Sequence, residues 1–180
     1  MTQTIGEWIR TRIPPEKTLG RDEAAELAAA IAHEPQFWTD FVRHDPDERY
    51  FFQLYRDPNL DIWLICWLNA QDTGYHDHDV SCGAVSIIDG VLAEDYLYRD
   101  EDGWIREKTR ERGRGETWHF DASSIHGLRH AGGPPATSIH VYSPALWRMG
   151  HYESGPLGLL RKSITYADET YTPLTDRAPS

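Results

Sequence analysis

The chain has 180 residues, of which 39% are hydrophobic and 26% are charged, and its formal net charge is −11. This length suits one domain with a sizeable core and is short for two. The acidic balance argues against nucleic acid or an anionic membrane as a partner, because both repel a negatively charged protein. Cys66 and Cys82 lie in apolar runs, which predicts buried and reduced thiols.

The N-terminal quarter of the chain is predicted to be helical, over residues 5–42. Pro14 and Pro15 end a first short segment, and Gly20 opens a run rich in alanine, leucine and glutamate. Three apolar side chains in this run share the i, i+3, i+4 face that docks on a sheet: Leu27, Ala30 and Ile31. We therefore expect residues 1–47 to form a helical cap within a single domain.

From Tyr50 the pattern changes to short strands separated by turn residues. Residues 62–68 form a continuous apolar run, which is typical of a central strand. Further strands are predicted over residues 76–89, 91–99, 104–109, 117–120, 127–130 and 137–142, with a charged loop over 110–115. This pattern predicts an all-β fold, an antiparallel barrel or jelly roll over residues 50–150, followed by a loosely structured C-terminal arm over 151–180.

No segment of the sequence is predicted to enter a membrane. Nowhere do 18 apolar residues run together, and the first residues include Glu7 and lack a long apolar stretch. We therefore expect neither a spanning helix nor a signal peptide, and a cytoplasmic location follows as the default expectation.

The strongest chemical signal is a candidate metal site. His76 and His78 are two residues apart on a predicted strand. Since successive strand side chains point to opposite faces, these two point to the same side, where both imidazoles can reach one metal ion. A second segment, from Gly115 to His126, contains a glycine, a turn-forming residue and a histidine. Their spacing predicts that the imidazole of His126 reaches the same ion. Three neutral ligands on one face of an ion leave the opposite face open for substrates.

These two segments resemble the paired motifs of the cupin superfamily. In the first motif both histidines and Gly90 match, while Gly83 stands where the family has a glutamate; in the second, the opening glycine and the histidine match. Three histidines without a carboxylate are similar to the site of thiol dioxygenases of the cysteine dioxygenase type. The resemblance implies a cupin-type barrel in which His76, His78 and His126 bind Fe(II).

A third segment is similar to the same family. Ser138, His140 and Tyr142 occupy positions i, i+2 and i+4 and therefore line one face of a strand. They resemble the family's Ser-His-Tyr relay, whose tyrosine hydroxyl approaches the iron-bound substrate, and the resemblance implies a catalytic role for all three. The alternative is a half-buried strand whose polar groups satisfy one another.

The resemblance also bears on a covalent cross-link. In the mammalian members a cysteine near the first motif is joined to the relay tyrosine. Here Gly83 stands at the matching position, and Cys82 is one residue away. Because a shift of one residue turns a strand side chain to the opposite face, we expect no cross-link between Cys82 and Tyr142.

The resemblance implies an enzyme that oxidises a small thiol, with cysteine favoured, to its sulfinic acid with O2. The family's substrate-binding arginine falls near Phe51, flanked by Arg49 and Arg56. Arg56 is the first choice for a substrate carboxylate, and a surface position at the turn before Pro58 is the alternative. Three other functions stay open: a dioxygenase for 3-mercaptopropionate or another mercapto-acid, a three-histidine cupin that acts on a non-thiol substrate, and a non-enzymatic metal-binding cupin that binds a small molecule.

The remaining candidates are predicted to have no role at the metal. His130 is expected to be structural or to support the site indirectly, and three histidines are expected at the surface: His33, His44 and His151. Asp77 and Asp79 flank the ligands and are expected to face solvent, with orientation of an imidazole as the alternative.

Overall fold

The computed structural model describes residues 3–155 and 158–166. Within these ranges the N-terminal part contains two α-helices, α1 (Ile5–Arg10) and α2 (Arg21–Ala32), and two 3₁₀ turns, Pro35–Phe37 and Thr39–Phe41. At the start of α1, the Glu7 amide donates to the Thr4 hydroxyl and the Thr4 amide donates to the Glu7 carboxylate. This capping box satisfies amides that the first helical turn leaves without partners. The predicted helical N-terminal region is confirmed.

The rest of the described chain is built from antiparallel strands. They are β1 (Tyr50–Asp57), β2 (Leu60–Trp67), β3 (Tyr75–His76), β4 (Cys82–Asp89), β5 (Val91–Arg99), β6 (Ile105–Gly113), β7 (Thr117–Phe120), β8 (His126–His130), β9 (Ala136–Ser143), β10 (Arg148–Gly155) and β11 (Gly158–Tyr166). One sheet has the order β1-β2-β9-β4-β7, and the other has the order β11-β10-β3-β8-β5-β6. The predicted fold class, all-β with a helical cap and an antiparallel barrel of the cupin type, is confirmed.

Two apolar clusters hold these layers together. The first lies between the helices and the outer face of the five-stranded sheet, where α2 packs its buried face on β4 and β9. The second lies between the two sheets. Strand β2 serves both clusters, since Ile62 and Leu64 face the helices while Trp63 and Ile65 face the interior. This explains its continuous apolar run, because a strand covered on both faces shows no alternation of polarity.

The C-terminal arm predicted for residues 151–180 is wrong in its first part. Residues up to Tyr166 form the hairpin of β10 and β11, and β10 pairs with β3 through His151 and Tyr152. Residues 156–157 and 167–180 lie outside the described residues. The hairpin was missed because contacts distant in sequence stabilise it, above all the ion pair at 2.6 Å between Arg161 and Asp77.

The charged loop predicted over residues 110–115 is also partly wrong. Strand β6 continues to Gly113 and pairs with β5 along its whole length. Its charged side chains are compatible with a strand because β6 is the last strand of its sheet and is largely exposed. Polar and charged residues are common on such edges, where they discourage pairing with other chains.

The helices of the described chain include none that is both long enough and apolar enough to cross a bilayer. Cys66 and Cys82 are free thiols, and burial raises the pKa of both. Cys66 is buried as predicted, while Cys82 is only half-buried.

Candidate metal centre and its pocket

Three buried histidines converge on one point between the sheets. His76 on β3 and His126 on β8 are direct cross-strand partners, and His78 follows β3 by two residues. One ring nitrogen from each of the three lies within 4.8 Å of the others. The structure therefore brings together the three imidazoles that the sequence pattern predicts.

The hydrogen bonds of these imidazoles leave a nitrogen of each directed toward the shared point. His76 Nδ1 contacts the carbonyl oxygen of Gly74 at 3.0 Å, and His126 Nδ1 contacts Glu94 Oε1 at 2.9 Å. His78 has both ring nitrogens buried with no hydrogen-bond partner among the described residues. A buried polar atom without a partner is costly, so this arrangement fits a site that a metal ion completes.

The electrostatic environment keeps the imidazoles of His76 and His78 neutral. Burial, followed by the neighbouring His126, lowers the pKa of His76 to about 3. Burial, followed by His76 and His126, holds the pKa of His78 well below its usual range. A neutral imidazole has the lone pair that a metal requires, so these side chains are ready to bind a metal at neutral pH.

Glu94 is a buried residue beside the metal centre that the sequence analysis missed. Besides its contact with His126, its Oε1 accepts a hydrogen bond from Trp118 Nε1 at 2.9 Å. A carboxylate on the far nitrogen of a metal-binding histidine fixes the tautomer and orientation of the ring. The two-residue period of a strand could have identified Glu94. Leu92, two residues earlier on β5, belongs to the core between the sheets, so Glu94 faces the same interior.

The predicted relay forms one hydrogen-bonded row on β9. His140 Nε2 lies 2.9 Å from Ser138 Oγ, and His140 Nδ1 lies 3.3 Å from the Tyr142 hydroxyl. Trp67 Nε1 donates to Ser138 Oγ at 2.9 Å and so extends the row. The Tyr142 ring stands beside the metal centre, with its centroid 5.2 Å from that of His78.

Cys82 lies on the face of β4 that points away from the metal centre. Its Sγ is 3.5 Å from the Leu19 carbonyl and 3.4 Å from the Ser143 carbonyl. Gly83 is the residue paired with Tyr142, and a Cβ added at Gly83 would stand 2.6 Å from the Phe120 ring. The opposite orientation predicted for Cys82 is confirmed, and position 83 has no room for a side chain.

A cavity of about 90 Å³ is lined in part by two of the three histidines, His76 and His126. Its walls combine apolar side chains with a few polar groups from both sheets, and they include Arg49, Phe51, His140, Tyr142, Met149 and His151. None of the described residues that line it is acidic. We refer to this cavity, together with His76, His78 and His126, as the metal pocket.

Arg56, the predicted carboxylate-binding residue, is engaged outside the metal pocket. Its guanidinium pairs with the buried carboxylate of Asp61 and donates to the Leu146 carbonyl at 2.8 Å. The arginine that borders the pocket is Arg49, the other residue that flanks Phe51. Arg49 lies two residues before Phe51 and therefore on the same side of the extended chain, whereas Arg56 lies near the far end of β1, where it is held by its cross-strand partner Asp61.

Arg49 is held close to the polar groups of the pocket. Its guanidinium donates to the Asp72 carbonyl and stacks over the Trp67 ring, with 5.0 Å between Cζ and the ring centroid. After burial, the charge of Arg49 is the next cause that lowers the pKa of His140. An arginine carries five donors in a fixed plane, a geometry that matches the two oxygens of a carboxylate.

Two other residues differ from their predicted positions. Asp77 was expected to face solvent but is buried, and it accepts hydrogen bonds from Arg161 at 2.6 Å and from the Tyr152 hydroxyl. His151 was expected at the surface but lines the metal pocket, because its cross-strand partner is His76. Both differences come from the β10–β11 hairpin.

Two of the remaining side chains lie at their predicted positions. His130 is buried and structural, with Nδ1 2.9 Å from Asn69 and Nε2 2.9 Å from the Pro134 carbonyl. His33 is exposed. Asp79, expected to face solvent, is instead largely covered and forms an ion pair with Arg148 at 2.9 Å. His44 is only half-buried, with Nε2 3.1 Å from a backbone carbonyl.

Comparison with known proteins adds an independent line of evidence. The family model described as "Cysteine dioxygenase type I" matches residues 11–154. Cysteine dioxygenase type 1 from Danio rerio is 24% identical over 153 residues, which cover 79% of this chain and 75% of the relative.

Solved structures similar to this chain include two bacterial proteins. A Klebsiella pneumoniae protein described as having a double-stranded β-helix domain is 15% identical, with a TM-score of 0.48, over 59% of this chain and 81% of its own. A Thermus thermophilus protein is 19% identical, also with a TM-score of 0.48, over 59% of this chain and 93% of its own.

Proposed function

The chain belongs to the cysteine dioxygenase type I family, and from this membership we propose that it is an Fe(II)-dependent thiol dioxygenase. Its substrates would be a small thiol, with cysteine favoured, and O2, and its product the sulfinic acid. The observation that carries the proposal is the set of three buried histidines, without a carboxylate, beside a tyrosine hydroxyl. His76, His78 and His126 would hold the metal through one nitrogen each.

When bound, Fe(II) would supply the oxygen chemistry and a positive centre that favours a thiolate over a thiol. The protein would contribute binding, orientation and exclusion of water. Phe51, Ile65 and Val85 make part of the pocket wall apolar, which strengthens electrostatic interactions inside it. The absent carboxylate leaves the negative charge at the metal to come from the substrate.

The size of the pocket supports a small substrate. Its volume of about 90 Å³ corresponds to roughly three water molecules at ~30 Å³ each. A molecule of the size of cysteine or a three-carbon mercapto-acid suits this space once side chains adjust. Arg49 would bind its carboxylate, because an ion in a dry pocket is costly without a charged partner.

The relay would hold a proton at the Tyr142 hydroxyl. If Ser138 Oγ donates to the Ile65 carbonyl at 3.4 Å, it accepts from His140 Nε2–H, and Nδ1 then accepts from Tyr142. In the other tautomer His140 Nδ1–H donates to the tyrosine oxygen. The hydroxyl proton of Tyr142 would then be free to be donated to the substrate. A binding module has no need of such a row, so the relay favours an enzyme over the non-enzymatic alternative.

A mercapto-acid such as 3-mercaptopropionate is the second candidate substrate. The observation that favours it is the lack of an acidic side chain among the described residues that line the pocket. The ammonium group of cysteine would therefore find no carboxylate partner on this wall, whereas a thiol acid without an amine requires none. Arg49 would bind the carboxylate of either substrate. The two substrates differ only in whether they carry an ammonium group that needs a partner.

Oxygen uptake tests the proposed function directly. We expect the Fe(II)-loaded protein to consume O2 with cysteine or a mercapto-acid and to form the sulfinic acid in equal amount, as measured with an oxygen electrode and by mass spectrometry. Protein loaded with Zn(II) is the matched control and should consume none, because zinc has no redox chemistry. Absence of uptake across a panel of small thiols, with iron fully bound, would contradict the proposal.

Arg49→Gln should impair the use of thiols that carry a carboxylate. Loss of a charge-assisted hydrogen bond of about 1.5–3 kcal/mol predicts a KM raised roughly 10- to 100-fold for such a thiol. The KM for a thiol such as cysteamine, which has no carboxylate, should change little. Steady-state oxygen uptake with both thiols measures the difference.

Two further variants make this comparison decisive. Arg43→Gln is the surface control, because its side chain is 68% exposed and lies near Arg49 in sequence. Arg56→Gln tests the residue that the sequence analysis favoured. A selective loss in Arg56→Gln together with normal kinetics in Arg49→Gln would reverse our assignment.

A further inference from the structure

A second cavity, of about 210 Å³, lies beside the metal pocket and shares Phe120 and His126 with it. Its other walls are different and carry three arginines, Arg21, Arg110 and Arg112. We refer to it as the arginine cavity. Three positive side chains around one cavity are unusual in a chain whose net charge is −11.

Two of these arginines reach the cavity because of the alternation along β6. The pairing of β5 with β6 places Glu94 opposite Arg110 and Leu92 opposite Arg112. Directly paired residues lie on the same face of a sheet, so both guanidinium groups share the inward face with Glu94. Since β6 is the last strand of its sheet, the cavity lies at an edge.

The guanidinium groups of Arg110 and Arg112 are positioned by aromatic rings, and of the two only Arg112 has an ion-pair partner among the described residues. Arg110 stacks over Tyr96 at 5.0 Å and has no ion-pair partner within 4.0 Å among the described residues. Arg112 stacks over Trp118 at 5.1 Å, and its terminal nitrogen is 3.8 Å from Glu94, beyond hydrogen-bond range. Its Nε is buried without a hydrogen-bond partner in the described structure.

Each of the two carboxylates on the cavity wall already has an arginine of the cavity beside it. Glu94 accepts hydrogen bonds from His126 and Trp118, and Asp121 forms an ion pair with Arg21. Three arginines against two carboxylates leave one positive charge in excess. That excess resides on Arg110, which stands two positions from Arg112 on the same strand, and the buried Nε of Arg112 still has no hydrogen-bond partner among the described residues.

From this arrangement we infer that the arginine cavity is a binding site for a small oxyanion, with the size and charge of a carboxylate, sulfinate or phosphate. Arg110 and Arg112 would hold it by charge-assisted hydrogen bonds, since guanidinium planes match the geometry of such oxygens. The site is separate from the substrate position in the metal pocket and does not depend on the thiol dioxygenase proposal. An anion there would also lie next to Glu94 and hence beside the hydrogen bond that orients His126.

Isothermal titration calorimetry on the purified full-length protein tests this site, with sodium phosphate and sodium acetate as probes at low ionic strength. We expect saturable binding of at least one of them, at one site per chain. Arg110→Gln and Arg112→Gln should each weaken it by roughly tenfold or more, because each removes a charge-assisted contact. Binding of phosphate alone would assign an inorganic or phosphoryl anion, and binding of acetate would assign an organic acid.

The matched control is Lys108→Gln, an exposed basic residue of the same strand face that does not line the cavity. Its affinity should equal that of the unmodified protein. An equal loss in Lys108→Gln, the absence of saturable binding, or a loss in Arg49→Gln instead would each overturn the inference. Melting temperatures show whether the variants fold, and Arg110→Gln, at an exposed position, keeps the test valid if Arg112→Gln is destabilised.

Discussion

Replacement of His78 by alanine should abolish thiol oxidation and reduce the affinity for metal more than about 100-fold. Loss of a residue that merely orients a metal ligand typically costs 10- to 100-fold, and loss of the ligand itself costs more. His78 is the cleanest of the three histidines to replace, because its two ring nitrogens have no hydrogen-bond partner among the described residues. Replacement of His126 would instead leave Glu94 buried with one partner fewer.

Metal content by mass spectrometry and metal-dependent thermal stability measure this effect. A ligand that binds only the folded state raises the melting temperature, so metal should stabilise the unmodified protein and not His78→Ala. His119→Ala is the matched control, since His119 is half-exposed on β7 and contacts Asp22 at 3.2 Å instead of the metal centre. Normal metal binding by His78→Ala would exclude it as a ligand.

The parts of the site that the sequence predicted are those fixed by local geometry. His76 and His78 are two residues apart, and Ser138, His140 and Tyr142 share one strand face, so strand alternation alone brings each set together. His126 was identified by motif spacing, and the structure shows it directly opposite His76. The apolar run of β2 and the helical cap could likewise be predicted, because each is a continuous pattern in the sequence.

The parts that the sequence did not predict depend on pairing between distant strands. Glu94 reaches His126 because β5 and β8 pair with Tyr96 opposite His126, which puts Glu94 at the diagonal position. His151 reaches the pocket through the pairing of β10 with β3. Neither register is encoded in a short stretch of residues. The engagement of Arg56 with Asp61, its cross-strand partner on β2, likewise depends on strand pairing that the sequence alone does not show.

Asp77 illustrates how one such contact changes the interpretation of a residue. By position it flanks two ligands and should project away from them, which favoured an exposed side chain. In the structure it joins the ligand-bearing segment to the β10–β11 hairpin, through Arg161, Tyr152 and the Gly150 amide at 3.1 Å. A Cβ at Gly150 would lie 2.8 Å from the Asp77 carboxylate, so a larger residue there would displace the side chains that make this contact. The hairpin in turn carries Met149 and His151 into the pocket wall.

Replacement of Tyr142 by phenylalanine should lower kcat by about 100-fold while metal content stays normal. Proton transfer by a positioned side chain typically contributes 10²- to 10⁴-fold, and this variant removes only the hydroxyl that His140 contacts at 3.3 Å. The ring remains, so its packing against His78 and Phe120 is kept. Stability should fall by no more than about 0.5–1.5 kcal/mol, the usual net value of one hydrogen bond.

Two companion variants separate a catalytic hydroxyl from a structural one. Tyr55→Phe also removes one tyrosine hydroxyl, bonded to Asp57 at 2.7 Å on the helix-covered side of the barrel, and should leave kcat unchanged. Ser138→Ala should give an intermediate kcat, because Ser138 acts on Tyr142 only through His140. If the three variants retain the same kcat as the unmodified protein, the row of Ser138, His140 and Tyr142 only satisfies buried polar groups. A loss of kcat confined to Tyr142→Phe would instead show that the hydroxyl acts without the rest of the row. In a working relay, turnover depends on Ser138 as well as on Tyr142.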